Sequence, residues 1–246
     1  MVVGLLGIGY SFLSTPSSVE ALGEHAGHDV EHAHHVLHLL QNKPWAALYV
    51  AALFFLLISL GVLAFYAINR AAQAGWSPIL FRVMEGITGY LPIGGAIFFL
   101  LLVASGLHWN HLFIWMDPEV VAHDTVIQGK TGYLNVPFFL GRAAVYLLGW
   151  IGYRQLVRKF SKAQDIATDN RPFVKAFKWS AGFLVFFLVT ESMMSWDWIM
   201  SVDPHWFSTL FGWYVFGSFI TASVAAIILV TVSLKSQGYL KEVNDS

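Results

Sequence analysis

The chain has 246 residues, of which 57% are hydrophobic and only 12% are charged, about half the charge that is usual in soluble domains. A soluble protein of this length has no single core large enough for so much apolar surface, so the composition predicts an integral membrane protein. The net charge of −1 gives no sign of a nucleic-acid partner, and the absence of cysteine excludes disulfides, thiolate metal sites and thiol nucleophiles.

Residues 1–13 form an apolar run that is too short to cross a bilayer. The run lacks a basic start and an obvious small-residue cleavage site, which argues against a secretory signal. We interpret it as a partial N-terminal transmembrane helix, the outer end of a span. A frayed or interfacial N-terminus is the alternative.

Residues 14–44 are predicted to form a loop outside the membrane. Six histidines and four acids lie between positions 20 and 38. Clustered imidazole and carboxylate groups can bind zinc, copper or nickel. A solvated amphipathic segment explains the same composition. We favour the second interpretation and predict no metal site.

Residues 45–246 are predicted to form an all-α transmembrane bundle. Five apolar runs reach the length of about 20 residues that a bilayer span requires. These runs are 45–68, 90–109, 136–153, 179–196 and 210–234. They are continuous and do not alternate apolar with polar residues, which argues against strands.

The distribution of charge predicts how the chain is oriented. Eleven of the 14 Lys and Arg residues fall on one side of the predicted bundle, whereas only Lys43 and Lys130 fall on the other. All ten histidines fall on the side that is poor in Lys and Arg. Because basic loops stay in the cytoplasm, we expect a multi-pass membrane protein whose histidine-rich segment lies on the side opposite the cytoplasm.

His108 and His111 lie at the outer end of the second span, three positions apart, as on one face of a helix. Bis-histidine haem ligation needs histidines on opposing helices, so no haem is predicted in this chain. The two residues remain candidates for the lining of a quinone cavity. The following HLFIWMDPE, with Asp117, resembles a later segment around Asp203 and suggests an internal duplication.

Glu191 is the sharpest functional candidate, because an ionisable residue is costly in hydrocarbon and is functional by default. It is the one charged residue in the run 179–196, as Arg142 is in the run 136–153. We predict that Glu191 handles protons. The alternative is that Glu191 and Arg142 lie at similar depth and form a structural pair. Arg142 is also a candidate for the lining of a cavity.

Asp197, Asp203 and His205 follow at the outer end of the fourth span, in SWDWIMSVDPHW. Their carboxyl and imidazole groups can take protons from a quinol, since both titrate within reach of neutral pH. Trp196 and Trp198 suit a flat aromatic ligand, but they suit an interfacial aromatic belt equally well. The Asp-Pro pair in this segment is also a common start of a short helix.

The segment TESMMSWDWIMSVDPHWFSTLFGWYVF resembles the second of the two large quinone-binding-type membrane subunits of alternative complex III. That subunit belongs to the polysulfide-reductase membrane-subunit (NrfD-like) family. Four more segments fit the same subunit, so that the resemblance covers nearly the whole chain: NKPWAALYVAALFF, AAQAGWSPILFRVMEGITGYL, HLFIWMDPEVVAHD and QGKTGYLNVPFFL. Family members begin with a complete helix and continue with further helices, so the resemblance implies that this chain corresponds to about the first half.

The resemblance implies a subunit of a bacterial quinol:electron-acceptor oxidoreductase that is not catalytic alone. With the charge distribution, it implies a multi-pass protein of the bacterial inner membrane with the histidine-rich segment in the periplasm. Its expected partners are a multihaem cytochrome, an iron–sulfur protein and a sister membrane subunit. The haem and iron–sulfur clusters belong to these partners, and cytochrome c or a similar carrier accepts the electrons. This chain would carry no covalent cofactor and would contact quinone, conduct protons or do both.

Two other functions are open from the residues alone. A metal or ion transporter would use the histidine-rich segment as a collector, but three of the five spans carry no charge, which disfavours ion transport. A purely structural scaffold fits the uncharged spans. Glu191 fits a scaffold poorly.

Overall fold

The computed structural model describes residues 2–18 and 30–240, and within these ranges the chain forms helices and connecting segments without any strand. The α-helices of these ranges are α1 (Val2–Leu13), α2 (Val30–Ala71), α3 (Phe81–Ile87), α4 (Leu91–Gly106), α5 (Pro118–His123), α6 (Thr125–Gln128), α7 (Val136–Gln164), α8 (Arg171–Trp198) and α9 (Phe211–Ser236). The predicted all-α class is confirmed.

Five helical segments are long and apolar enough to cross a membrane, and each overlaps one of the predicted runs. They are Val36–Ala71, Ser77–Gly106, Val136–Gln164, Arg171–Val202 and Phe211–Ser236. The protein is therefore a polytopic helix bundle embedded in a membrane. α1 has only 12 residues, or about 18 Å of helix, and is too short to span.

The first long helix begins earlier than the sequence predicts. α2 has 42 residues, which is about 63 Å of helix, roughly twice the thickness of the hydrocarbon core. Residues 30–44, predicted as part of a loop, are its first turns. Ala33 and Leu37 are buried there with Val36 and Leu40 packed against them. Apolar residues at this spacing give the segment one buried face, and that face favours a helix.

α1 packs beside this extension of α2. The rings of Phe12 and Trp45 meet edge to face at 5.2 Å, and the Gln41 amide donates to the Pro16 carbonyl at 3.4 Å. The segment between the two helices includes residues 19–29, among them His25 and His28, which lie outside the described residues. The expectation that the histidine-rich segment binds no metal therefore stays a prediction.

The second membrane segment is not one continuous helix. A 3₁₀ turn (Ser77–Leu80) leads into α3, and a second 3₁₀ turn (Thr88–Tyr90) leads from α3 into α4. Only α4 corresponds to the predicted apolar run. α3 carries two charged residues, Arg82 and Glu85.

Small residues allow the helices to approach each other closely, as is typical inside membranes. A Cβ atom on Gly61 of α2 would lie 2.2 Å from the Ser223 hydroxyl of α9. That hydroxyl donates to the Ile58 carbonyl at 2.9 Å. The contact fixes α9 against α2 without any charged group.

α7 and α8 run antiparallel and are joined by polar contacts along their length. The Trp150 indole donates to the Thr190 hydroxyl at 3.0 Å, and the hydroxyls of Tyr153 and Ser180 lie 2.8 Å apart. The Tyr153 ring also stacks on the Phe183 ring, with 3.9 Å between the ring centroids. These contacts set the register in which the charged residues of the two helices meet.

The two ends of the bundle differ in chemistry. At one end, here called the histidine end (the loops 107–135 and 199–210 and the start of α2), Asn42 accepts from the His111 N–H at 2.8 Å, and His205 contacts Asp124. At the other, the basic end (residues 72–90 and 152–178), Arg82 pairs with Asp165. The described histidines are thus separated from most of the described basic residues, with Lys43 and Lys130 at the histidine end as the sequence predicts.

Candidate functional site

Two buried acids of α8 form the candidate site, and the first of them, Asp197, is fully paired. The Arg142 guanidinium donates to both of its oxygens, from Nε to Oδ2 and from Nη2 to Oδ1, each at 2.8 Å. The Tyr146 hydroxyl adds a third hydrogen bond to Oδ2 at 2.9 Å. Asp197 is 0% exposed and Arg142 6%. This geometry is the bidentate arrangement in which an arginine binds a carboxylate most strongly.

The remaining face of Arg142 is also occupied. Its Nη1 donates to the Tyr133 carbonyl at 3.1 Å. The guanidinium lies over the rings of Tyr133, at 3.8 Å, and Phe138, at 4.3 Å. Burial raises the pKa of the Tyr133 hydroxyl, and the nearby Asp197 carboxylate raises it further. Arg142 therefore ties the loop before α7 to α8, and its donors are used within the protein.

The alternative prediction, that Arg142 and Glu191 form a structural pair, is wrong, because Arg142 binds Asp197 instead. Asp197 follows Glu191 by six residues, which turns it by about 240° around the helix axis. The two acids thus face different neighbours, although they belong to the same helix. Arg142 reaches toward the nearby end of the bundle, as long basic side chains near a membrane interface do.

Glu191 is the second buried acid, and it is hardly bonded at all. It is 5% exposed, and its Oε1 has no hydrogen-bond partner among the described residues. The neighbouring Ser192 hydroxyl donates weakly to Oε2 at 3.3 Å. A buried polar group without a partner costs free energy and calls for a functional explanation.

A cavity of about 200 Å³ lies next to Glu191, between α8 and α9. Phe187 and Ser192 of α8 and Trp213 and Phe216 of α9 contribute to its lining. Gly212 brings the start of α9 close, since its Cβ would lie 3.2 Å from the Ser192 Cα. The carboxyl group therefore borders an apolar space that is large enough for water molecules.

Asp203 and His205 do not join Asp197 in one cluster. Both are exposed at the histidine end, where the His205 Nε2 lies 2.6 Å from Asp124 Oδ2 and its Nδ1 lies 3.8 Å from Asp203 Oδ1. The backbone N–H of Ile127 lowers the pKa of Asp124, and the contact with His205 lowers it further. The histidine thus sits between two acids that come from different loops.

A cavity of about 510 Å³ lies at this end, between the loops 124–135 and 199–207. Lys130, Tyr133, His205 and Trp206 are among its lining residues, and Lys130 donates to the Pro204 carbonyl. The volume is within the range of small-molecule sites. Of the predicted site residues, only His205 belongs to its wall.

The two tryptophans that were predicted to suit a flat ligand, Trp196 and Trp198, do not line this cavity. Trp198 is fully buried in an aromatic core, 4.8 Å from Phe98 and 5.8 Å from Trp150 between ring centres. Its carbonyl, at the end of α8, accepts from the Tyr49 hydroxyl at 2.6 Å. Trp196 is partly buried, with an indole N–H that has no partner among the described residues. Trp198 is thus part of the core rather than of an open cavity.

His108 and His111 do not share a helix face, because α4 ends at Gly106. His108 has a positive φ of 59°, which only a turn allows. The rings of His111 and His38 of α2 meet edge to face, with 5.2 Å between their centroids. Both side chains are exposed.

The two Asp-Pro segments are locally alike and then diverge. In each, a 3₁₀ turn precedes an extended Asp, whose side chain accepts the N–H two residues ahead: Asp117 from Glu119 at 2.9 Å, and Asp203 from His205 at 3.2 Å. Asp117 caps α5. Asp203 begins only a turn, so the alternative of a short helix there is wrong.

Sequence reasoning missed Tyr146 and Asp124. Tyr146 follows Arg142 by four residues and therefore shares its face of α7, a signal that the spacing contains. Asp124 precedes Thr125 at the start of α6 and caps it, but its contact with His205 depends on a loop 81 residues away.

No known protein family matches this chain, and no curated protein matches it.

Proposed function

We propose that this chain is a membrane subunit of a respiratory quinol-oxidising complex of the alternative complex III type, in which Glu191 takes up and releases protons within the membrane. The observation that carries the proposal is the buried Glu191 carboxyl group, which has no partner for Oε1 among the described residues and borders a cavity. Oxidation of a quinol releases protons together with electrons, and a carboxyl group inside the bilayer can move those protons.

The expected partners follow from the sequence resemblance. A multihaem cytochrome and an iron–sulfur protein would carry the electrons to cytochrome c or a similar acceptor. A sister membrane subunit would lie beside this chain. Quinol enters the proposal as the substrate of the complex, whereas haem and iron–sulfur clusters belong to the partner subunits.

Between quinol binding and proton transfer, the geometry favours proton transfer for this chain. Arg142 and Trp198, both predicted to line a quinone site, are engaged in internal contacts. Two cavities lie elsewhere, one beside Glu191 and one next to His205 at the histidine end. The latter is the place in which a quinol headgroup would find an imidazole and aromatic rings.

The test compares Glu191→Gln with Glu119→Gln in the assembled complex. Both replace a carboxyl group by an amide of the same shape, but Glu119 is exposed at the histidine end. Quinol oxidation by a soluble acceptor and proton release would be measured together in proteoliposomes. We expect Glu191→Gln to assemble normally and to lose proton release by roughly a hundredfold, within the range of general acid–base catalysis.

Glu119→Gln should behave as the unmodified complex does. A fully assembled Glu191→Gln complex with unchanged oxidation and unchanged proton release would exclude the proton-handling role. That result would favour the scaffold function for this chain.

We also propose that the histidine end faces the periplasm of a bacterial inner membrane, because the Lys and Arg residues are concentrated at the other end. His123 and Asp169 are exposed at opposite ends, and the chain contains no cysteine. In intact cells, an impermeant thiol reagent should label His123→Cys, and it should label Asp169→Cys only after permeabilisation. The reverse pattern would overturn the orientation.

A further inference from the structure

A pocket of basic side chains lies at the basic end of the bundle, away from the candidate site. Arg154, Arg158 and Lys162 follow one another at intervals of four residues and so share one face of α7. Together with Arg82 of α3, they line a pocket of about 220 Å³. Arg154 is buried at its floor, and the other three basic residues are exposed.

Arg154 is a buried charge without a counter-ion in the described part of the chain. It is 5% exposed, its Nε has no hydrogen-bond partner, and no described carboxylate forms an ion pair with it. Leaving a guanidinium buried and uncompensated is strongly unfavourable. The pocket is therefore expected to bind an anion.

The one acid of the pocket, Glu85, attracts Arg154 only at a distance and forms its ion pair with Arg82. Its Oε2 accepts from Arg82 at 2.9 Å and its Oε1 from the Tyr66 hydroxyl at 3.3 Å. Arg82 binds Asp165 as well. Four basic residues and one carboxylate line the pocket, so positive charge remains in excess.

Glycines form the wall opposite Arg154. A Cβ atom on Gly86 would meet nothing within 4 Å, and one on Gly89 would lie 3.6 Å from the Arg154 Nη2. Space next to the guanidinium is thus left open by bare backbone. A group with several oxygens, such as a phosphate, can approach the guanidinium from this side.

An apolar groove begins about one helical turn away. It measures about 300 Å³, lies between α4 and α7, and includes Pro92, Ala96, Leu148 and Ile151 in its lining. Ile151 precedes Arg154 by three residues on α7. Pro92 follows Gly89 by three residues at the start of α4. The basic pocket and the groove therefore adjoin along the same pair of segments.

The depth of the pocket fits a membrane interface. Arg154 is 18 residues after Val136, the first residue of α7 at the opposite end, or about 27 Å along the helix. The hydrocarbon core is about 30 Å thick. Arg154 thus lies at the level of the lipid headgroups, and the groove lies at the level of the acyl chains.

We propose that the pocket and the groove together bind one anionic phospholipid. The phosphate group is held by Arg154, with Arg158 and Lys162 at the rim, and an acyl chain lies in the groove between α4 and α7. Basic pockets between membrane helices bind anionic headgroups in this way. Inorganic phosphate offers the same headgroup chemistry, but it has nothing that would occupy the groove.

The test measures lipid binding to the delipidated, purified full chain by native mass spectrometry. Phosphatidylglycerol is compared with phosphatidylcholine of the same acyl chains, and inorganic phosphate is added as a competitor. We expect phosphatidylglycerol to bind roughly tenfold more tightly than phosphatidylcholine. Both lipids carry the phosphate, but the choline cation would be repelled by Arg158 and Lys162 at the rim. Inorganic phosphate should compete only weakly.

Three variants locate the site. Arg154→Gln removes the buried charge, Gly86→Leu fills the pocket without changing the charge, and Ala96→Phe blocks the groove. Each should weaken phosphatidylglycerol binding by about tenfold. Arg171→Gln, the same substitution at an exposed residue of the same end, and Ile97→Phe, next to the groove position, are the matched controls and should change the affinity less than twofold.

Folded Arg154→Gln and Gly86→Leu proteins that bind phosphatidylglycerol as the unmodified chain does would overturn the proposal. If Arg154→Gln does not fold, Gly86→Leu decides by itself. If inorganic phosphate displaces the lipid fully and Ala96→Phe has no effect, the pocket is a simple anion site and the lipid assignment is wrong.

Discussion

Asp197 and Glu191 lie on the same helix, and both are buried, yet they differ in nearly every contact. Asp197 accepts three side-chain hydrogen bonds from Arg142 and Tyr146. Glu191 accepts one long hydrogen bond from its neighbour Ser192, and its Oε1 has no partner within the described ranges. Burial alone therefore does not identify a functional acid.

The comparison separates a buried charge that has a structural role from one that has none among the described contacts. A bidentate arginine holds Asp197 as a fixed ion pair that joins α7 to α8, so the position of Asp197 is tied to the fold. Glu191 contributes nothing comparable to the packing. An acid that is kept in hydrocarbon without a structural role is the better candidate for chemistry.

The largest expected loss of stability follows from breaking the ion pair of Arg142 and Asp197. Asp197→Asn leaves the buried Arg142 charge without its counter-ion, which should destabilise the fold by about 3–5 kcal/mol. The fraction of monodisperse protein in size-exclusion chromatography and the thermal unfolding temperature would measure it. The double variant Arg142→Met, Asp197→Leu should recover most of the loss. An Asp197→Asn protein as stable as the original would contradict this account of the pair.

A smaller loss of stability is expected when the Tyr146 hydroxyl, which also donates to Asp197, is removed. Tyr146→Phe removes a hydrogen bond to a charged group, worth about 1.5–3 kcal/mol. Tyr153→Phe is the matched control, because it removes a bond to the neutral Ser180 hydroxyl, worth about 0.5–1.5 kcal/mol. Thermal unfolding of both proteins in the same detergent gives the comparison. Equal losses would mean that the charge of Asp197 adds nothing to the Tyr146 bond.

The smallest effect on stability is expected at Glu191. Glu191→Leu removes a buried polar group that has little bonding to lose, so the stability should stay within about 1 kcal/mol of the original or rise. Thr190→Val, at the adjacent position, deprives the Trp150 indole of its acceptor and should cost more. A large destabilisation by Glu191→Leu alone would show that Glu191 is structural, and the contrast with Asp197 would disappear.

The sequence by itself determined the features that depend on local composition. Hydropathy located the five spans, because about 20 consecutive apolar residues are needed to cross a bilayer, whichever neighbours they meet. The separation of histidines from Lys and Arg followed from alternating loops. That Glu191 is buried in an apolar helix could also be predicted, since only the run around it was needed.

Only the tertiary structure decided which charges meet. Depth along a helix can be counted from the sequence, and by depth Arg142 and Glu191 were a reasonable pair. The partner depends also on the rotation of each helix about its axis, where each residue adds about 100°, and on the register of α7 against α8. Those quantities are set by contacts such as Trp150 with Thr190 and Gly61 with Ser223, which join residues far apart in the chain. The pairing of Arg142 with Asp197 follows from this packing, and so does the isolation of Glu191.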